Sequence, residues 1–177
     1  MRFFVLGLCL CLPATAFAVG SDDTAPPEPT ETTIKCENAQ VWDEKTQACV
    51  DAQSGALDDE TRFRAVRELA YADRPEEALI VLSAMTEGDT DRVLTYKAFA
   101  HRKAGRLEQG LDLYAHALEV NPNNILARSY LGQLLVQMGE IAMARTQLDE
   151  IRARGGAGTW AEASLAQAVG TGQTLSY

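Results

Sequence analysis

Small and turn-forming residues recur at a nearly constant spacing along the second half of this 177-residue chain. The turn positions Asp73, Gly105 and Gly139 lie 32 and 34 residues apart. A second set keeps the same spacing: Ala78, Gly110 and Ala144. A fixed period of about 34 residues, with apolar residues at helical spacing between the turns, is typical of paired helices stacked into a solenoid. The sequence therefore predicts an all-α repeat fold.

The repeats are predicted over residues 58–156, in three units at 58–88, 91–124 and 125–156. A further helix is predicted within 157–170, because Thr159 and Glu162 have the spacing of a capping box. Solenoids need a terminal element with a polar outer face, since the last repeat would otherwise leave an apolar surface in water. We therefore expect this helix to cap the stack.

The second and third units resemble the tetratricopeptide repeat consensus. The residues that carry the resemblance are Gly110, Leu111, Tyr114, Ala117, Leu118, Pro122, Gly132, Gly139, Ala144 and Leu148. The resemblance covers roughly residues 59–156. The layout of the whole chain also resembles exported bacterial proteins of this type whose function is unassigned. The sequence departs from the family at Lys97, where leucine is usual, and at Asp73, where a glycine turn is usual. Gly132 is predicted to let the two helices of one hairpin approach closely.

The resemblance implies a concave groove lined by the first helix of each repeat. Carried onto this chain, the groove residues are Phe63, Arg64, Arg67, Tyr71, Arg92, Tyr96, Phe99, Arg102, Lys103, Leu126, Tyr130, Gln133 and Gln137. Aromatic residues and arginine are the types that contribute most to interface energetics. The groove is therefore predicted to bind a protein or peptide segment with acidic side chains or a free carboxylate. The alternative is that some of these aromatic residues pack between repeats.

The negative charge of the chain is concentrated before the repeats. Residues 19–60 contain 2 Lys+Arg and 11 Asp+Glu, whereas residues 61–177 contain 13 and 14. Nucleic acid is an unfavourable partner for such a chain, because phosphate binding requires a net basic surface. Residues 19–35 are rich in proline, threonine and acids, which predicts a flexible linker. This acidic linker is also predicted to compete weakly for the basic groove.

The first 18 residues have the pattern of a secretory signal peptide. Arg2 precedes an apolar run from Phe3 to Leu12, and Ala16-Phe17-Ala18 provides small residues for cleavage after Ala18. The run is too short to span a bilayer of about 30 Å hydrocarbon thickness. The pattern predicts a periplasmic or secreted protein without stable membrane insertion after cleavage.

Removal of residues 1–18 would leave two cysteines, Cys36 and Cys49. A cysteine pair in an oxidising compartment is usually a disulfide, so residues 36–50 are predicted to form a closed loop. We expect this loop to be structurally separate from the repeats. Trp42 lies midway between the cysteines, as in some small extracellular carbohydrate-binding modules, and this suggests cell-wall or carbohydrate binding as an alternative function.

No catalytic, cofactor or metal motif is recognisable. His101 and His116 have no metal-ligand spacing to a second histidine, a glutamate or a cysteine. The glycine-rich run at 155–158 follows no predicted strand and lacks the lysine of a phosphate-binding loop. The sequence therefore predicts a non-enzymatic periplasmic adaptor, scaffold or assembly factor, with a self-assembling structural protein as a further alternative.

Overall fold

The computed structural model describes residues 24–174, so the predicted signal peptide lies outside the described part of the chain. A short helix and a two-stranded hairpin precede the helical domain. The elements are α1 (Glu31–Lys35), β1 (Val41–Asp43), β2 (Ala48–Val50), α2 (Asp59–Tyr71), α3 (Pro75–Ser83), α4 (Asp91–Lys103), α5 (Leu107–Val120), α6 (Ile125–Gln137), α7 (Ile141–Ala153) and α8 (Trp160–Thr171).

Helices α2 to α7 form three antiparallel hairpins, and α8 follows as a single helix that packs on α6 and α7. We call α2, α4, α6 and α8 the inner helices, because each contacts the next in this order, and α3, α5 and α7 the outer helices. The predicted fold class, a helical-hairpin solenoid with a final capping helix and a disulfide-closed N-terminal segment, is confirmed. Thr159 caps α8 by accepting a hydrogen bond from the Glu162 amide, as expected.

The three aligned turn positions share one backbone conformation. Asp73, Gly105 and Gly139 have φ angles of 59°, 79° and 84°, and each follows an inner helix. A left-handed residue is a common way to end a helix, and glycine adopts it without a steric penalty. Asp73 adopts the same angle where the repeat consensus has glycine, and Pro75 then begins α3 at a position where no amide donor is needed.

Substitutions at these turns should change stability in opposite directions. Gly139→Ala should lower the free energy of unfolding by about 1–2 kcal/mol, because a Cβ there has open space but a strained backbone. Asp73→Gly should raise the free energy of unfolding by roughly 0.5 kcal/mol, because glycine adopts the left-handed conformation without strain. The substitution also removes the ion pair with Lys103, but Asp73 is largely exposed, so that loss is small. Chemical denaturation of both variants measures the change in the free energy of unfolding. Stabilisation by Gly139→Ala would show that the turn is not left-handed.

The N-terminal hairpin shares a hydrophobic core with the first helical hairpin. The predicted Cys36–Cys49 disulfide is confirmed, and β1 pairs antiparallel with β2. Val41 is fully buried in the same apolar cluster as residues of α2 and α3. Arg62 on α2 donates a hydrogen bond to the Ala52 carbonyl at 2.8 Å. The expectation of a loop separate from the repeats is therefore wrong, because the loop supplies apolar surface that covers repeat one.

Gly132 makes its close contact with α8, whereas the sequence suggested its own hairpin partner α7. A Cβ at this position would lie 2.5 Å from both methyl carbons of Leu165, which is fully buried. The glycine is therefore needed where α6 meets the capping helix. The prediction of a close helix contact is correct, but its assignment to the two helices of one hairpin is wrong.

Residues 24–35 differ from the predicted flexible linker. Residues 31–35 form α1, and the Thr30 hydroxyl accepts a hydrogen bond from the Thr32 amide as its cap. Thr30 also donates its own amide to the buried carboxylate of Glu68 on α2, at 2.8 Å. These contacts fix the described part of the predicted linker on the surface of α2. Residues 24–35 have no hydrophobic period because most of these contacts are polar.

Candidate functional site

Four aromatic side chains, one from each inner helix, meet in the middle of the concave face. Phe99 on α4 stacks on Tyr130 on α6, with ring centroids 4.5 Å apart. Tyr71 on α2 lies 5.2 Å from Phe99 and 6.3 Å from Trp160 on α8. The inner helices therefore curve until the first and last of them are in contact. This closure fills the centre of the predicted groove with the protein's own side chains.

Six of the predicted groove residues are buried as a result. Their exposed fractions are 9% for Tyr71, 2% for Tyr96, 4% for Arg102 and zero for Phe99, Tyr130 and Gln133. For these residues the alternative interpretation, packing between repeats, describes the structure, and we leave all of them except Tyr96 out of the candidate site. Arg102 is covered because its guanidinium lies over the Phe99 ring, 5.1 Å from the centroid. Tyr71 and Tyr130 pack against Trp160 of α8, and Gln133 donates a hydrogen bond to Ser164 of the same helix; no local sequence pattern indicates these contacts.

Hydrogen bonds hold the tyrosines of this buried cluster. The Tyr71 and Tyr130 hydroxyls are hydrogen-bonded to each other, and Arg67 donates through Nε to the Tyr96 hydroxyl at 3.2 Å. Burial raises the pKa of Tyr96 and raises that of Tyr130 well above its ordinary value. Both phenols are therefore neutral at physiological pH, and the cluster acts as a rigid floor for the surface above it.

An open cavity of about 680 Å³ remains at the N-terminal ends of α2, α4 and α6. We call it the inner cavity. Six predicted groove residues line it: Phe63, Arg64, Arg67, Arg92, Leu126 and the edge of Tyr96. The other lining residues are not among the predicted groove positions; they are Thr24, Glu60, Asp91, Thr95, Asn121, Asn123, Asn124 and Ile125. The inner cavity is an open part of the predicted groove.

The three arginines of the inner cavity differ in what they contact. Arg92 is held by Glu60 and Glu87 and lies over the Phe63 ring, and its hydrogen bond to Glu87 raises its pKa. Arg67 donates to the Ala25 carbonyl at 2.9 Å. Arg64 is exposed and donates to the Thr61 hydroxyl at 3.2 Å. Among residues 24–174, no carboxylate lies within ion-pair distance of the Arg64 guanidinium. Arg64 is therefore the cation best placed to receive an anionic group.

Asparagines in the α5–α6 loop fix one wall of the inner cavity. The Asn121 and Asn124 amides both donate to one Asp91 carboxylate oxygen, at 2.7 and 2.9 Å. Asn124 also caps α6 by accepting a hydrogen bond from the Ala127 amide. These bonds hold the loop against the start of α4. The preference for asparagine at helix N-caps could have predicted Asn124 at the start of α6. The predicted groove positions include only helical residues and therefore omit this loop.

The remaining predicted residues lie elsewhere. Lys103 forms an ion pair with Asp73, 3.0 Å away, and Gln137 donates to the Thr174 hydroxyl. Trp42 is half-buried, with the Lys35 ammonium 4.9 Å from its ring centroid. That contact covers part of the surface that the carbohydrate-binding alternative would need. Within the described range, no cluster of three or more metal-ligating side chains occurs and no helix is long and apolar enough to cross a membrane.

Residues 101–168 match a family model described as the tetratricopeptide repeat. The match begins in α4 and ends in α8, so it includes all of α5, α6 and α7. This region is a tetratricopeptide repeat region. The family is a non-catalytic scaffold for protein–protein interaction, which agrees with the class of function predicted from the sequence. Comparison with curated proteins and with solved structures finds no match.

Proposed function

We propose that this tetratricopeptide repeat protein is a periplasmic or secreted adaptor that binds a protein segment in the inner cavity. The observation that carries the proposal is the accessible Arg64 beside the apolar surface of Phe63 and Leu126. Such a pairing suits a segment that places an apolar side chain in the cavity and an acidic side chain or a terminal carboxylate on the arginine.

The size and rigidity of the cavity support binding of several side chains. A volume of about 680 Å³ is within the usual range of ligand sites, which is roughly 300–1,000 Å³. Its floor includes Tyr96, and its wall is fixed by the hydrogen bonds of Asn121 and Asn124. A binding surface that is already ordered loses little conformational entropy when a partner binds. These features favour the inner cavity as the binding surface.

The disulfide supports the proposed location. Disulfides persist mainly in secreted and periplasmic proteins, because the cytosol keeps thiols reduced. Cys36 is 2% exposed, and its bond to Cys49 joins two parts of the chain that pack on repeat one. The non-catalytic character of the family supports a role as an adaptor or assembly factor.

A peptide-display selection tests the proposal. Random peptides selected on the immobilised full chain should be enriched in Asp, Glu or a free C-terminal carboxylate. Arg64→Glu should lower their affinity by about tenfold or more, because it places like charges together in the cavity. The matched control is Arg145→Glu, the same charge change at an exposed position on α7. Equal losses in the two variants, or selected peptides without acidic groups, would contradict the proposal.

A further inference from the structure

Residues 24–30 cross the concave face from α8 to α2, and we call them the proline segment. At one end, the Thr24 hydroxyl accepts a hydrogen bond from the Ala161 amide of α8 at 3.2 Å. In the middle, the Ala25 carbonyl accepts from Arg67 at 2.9 Å. At the other end, the Thr30 amide donates to Glu68, whose side chain is held on α2 and is 7% exposed. The inner face therefore already holds a stretch of non-helical polypeptide.

The proline segment has the sequence TAPPEPT. Proline fixes φ near −65°, so a run of this composition favours the extended polyproline conformation. Pro26, Pro27 and Pro29 line a cavity of about 280 Å³ together with Tyr71 and Ala72 of α2. Polyproline segments are recognised elsewhere by aromatic-lined grooves, because the extended chain is already ordered before it binds. The surface under the segment combines an aromatic ring, Tyr71, with a side-chain donor, Arg67, and a side-chain acceptor, Glu68.

The surface contacts main-chain atoms, threonine hydroxyls and proline rings of the segment. Besides the main-chain bonds described above, the Thr24 hydroxyl accepts from Ala161 and the Thr30 hydroxyl donates to Glu68 at 2.8 Å. Glu28 is exposed, and Glu31, which follows the segment, forms an ion pair with Lys35. Neither carboxylate is within ion-pair distance of an arginine of the inner cavity among the described residues. A segment of another protein with the same backbone and the same two hydroxyls could make the same contacts.

We propose that the path of the proline segment is a docking site for an extended, proline-containing segment of a partner protein, and that residues 24–30 are its built-in competitor. The inference rests on the proposed function in one respect, because Thr24 also lines the inner cavity. A partner chain that follows the path past the position of Thr24 enters the inner cavity, where Arg64 receives its acidic group. The two subsites together define a ligand in which an acidic residue lies near a proline pair.

The built-in competitor must be displaced before a partner binds. A tethered segment acts at an effective concentration in the millimolar range, so even weak contacts keep it in place. The gap of about 280 Å³ beside Tyr71 shows that the prolines do not fill the surface beneath them. A partner with a better-fitting apolar residue at this point gains contacts that the proline segment lacks. The arrangement therefore selects against weak, non-specific ligands.

A competition experiment with the full chain tests the inference. The probe is a fluorescein-labelled peptide, TAPPEPT, and the control peptide is TAGGEGT. The variant Pro26→Gly/Pro27→Gly weakens the competitor but leaves every residue of the receiving surface unchanged. We expect the probe to bind this variant at least about fivefold more tightly than the wild type, because a larger fraction of molecules has a vacant path. The control peptide should bind neither protein at the same concentrations. Fluorescence anisotropy measures both affinities.

Three results would overturn the inference. Equal affinity of the probe for the wild type and the variant would show that residues 24–30 do not compete. Binding to neither protein would show that the path has no affinity for the probe. Dimerisation of the variant, with no binding of the probe, would assign the site to a second copy of this chain. The selection with Arg64→Glu tests the inner cavity and this titration tests the path, so failure of one is distinguishable from failure of the other.

Discussion

Gly132→Leu should lower the free energy of unfolding by about 3 kcal/mol or more. The first atom of the new side chain would lie 2.5 Å from the methyl groups of Leu165. Leu165 is fully buried between α6 and α8, so it has no free space into which it can move. Overpacking of this kind typically costs about 1–3 kcal/mol, and a leucine adds three more carbons beyond the clash.

A control substitution and a double variant test whether Gly132 contacts Leu165 of α8. Gly170→Ala places a methyl group where no atom lies within 4 Å, and within α8 it should stabilise by roughly 0.5–1 kcal/mol. Leu165→Ala alone should destabilise by about 2–5 kcal/mol. The double variant Gly132→Leu/Leu165→Ala should be more stable than the sum of the two single effects predicts, by more than about 1 kcal/mol. Strict additivity in chemical denaturation would show that Gly132 does not contact α8.

Removal of the disulfide by Cys36→Ser/Cys49→Ser should destabilise the whole helical domain. The bond closes a loop with a sequence separation of 13 residues, which corresponds to about 3 kcal/mol in the chain-entropy model. The hairpin core, with Val41 and Leu57, belongs to the same cluster as α2 and α3, so its loss exposes the apolar surface of repeat one. We therefore expect the helical melting transition to shift to lower temperature as one cooperative step.

Circular dichroism at the helical wavelength measures this shift. The reduced wild-type protein should melt like the serine variant, which separates the loss of the bond from the effect of the serine side chains. An unchanged helical transition, together with hydrogen exchange confined to residues 36–50, would contradict a shared core. That outcome would restore the independent module that the sequence pattern suggests.

The helical hairpins are predictable from sequence because their signals are local. The turn at Gly139, the cap at Thr159 and the small residue at Ala144 each act within a few residues of their position. The contact between Tyr71 and Trp160 depends instead on the summed curvature of three hairpins. A short stretch of sequence does not determine this summed curvature. For the same reason the packing of Val41 on repeat one was not foreseen, because its partners lie on another element.

The candidate site was predictable in part. Counting along the first helix of each repeat identified Phe63, Arg64 and Leu126, which do line the inner cavity. The same count included Phe99 and Gln133, which the convergence of the inner helices buries completely. It left out Asn121 and residues 24–30, because a consensus for helical positions contains neither the loops nor a preceding segment of the chain. Composition made residues 24–30 look like solvent-exposed linker, whereas their main-chain atoms and proline rings contact the inner face.

Site-specific photo-crosslinking in cells tests whether a partner protein binds in the inner cavity. The photoreactive residue p-benzoylphenylalanine is placed either at Phe63, in the inner cavity, or at Met143, which is 54% exposed on the outer helix α7. The proposed function predicts a discrete crosslinked protein from position 63, its loss when Arg64→Glu is added, and no such product from position 143. Crosslinking of the same protein from position 143, or a product at position 63 that Arg64→Glu leaves unchanged, would contradict binding in the inner cavity.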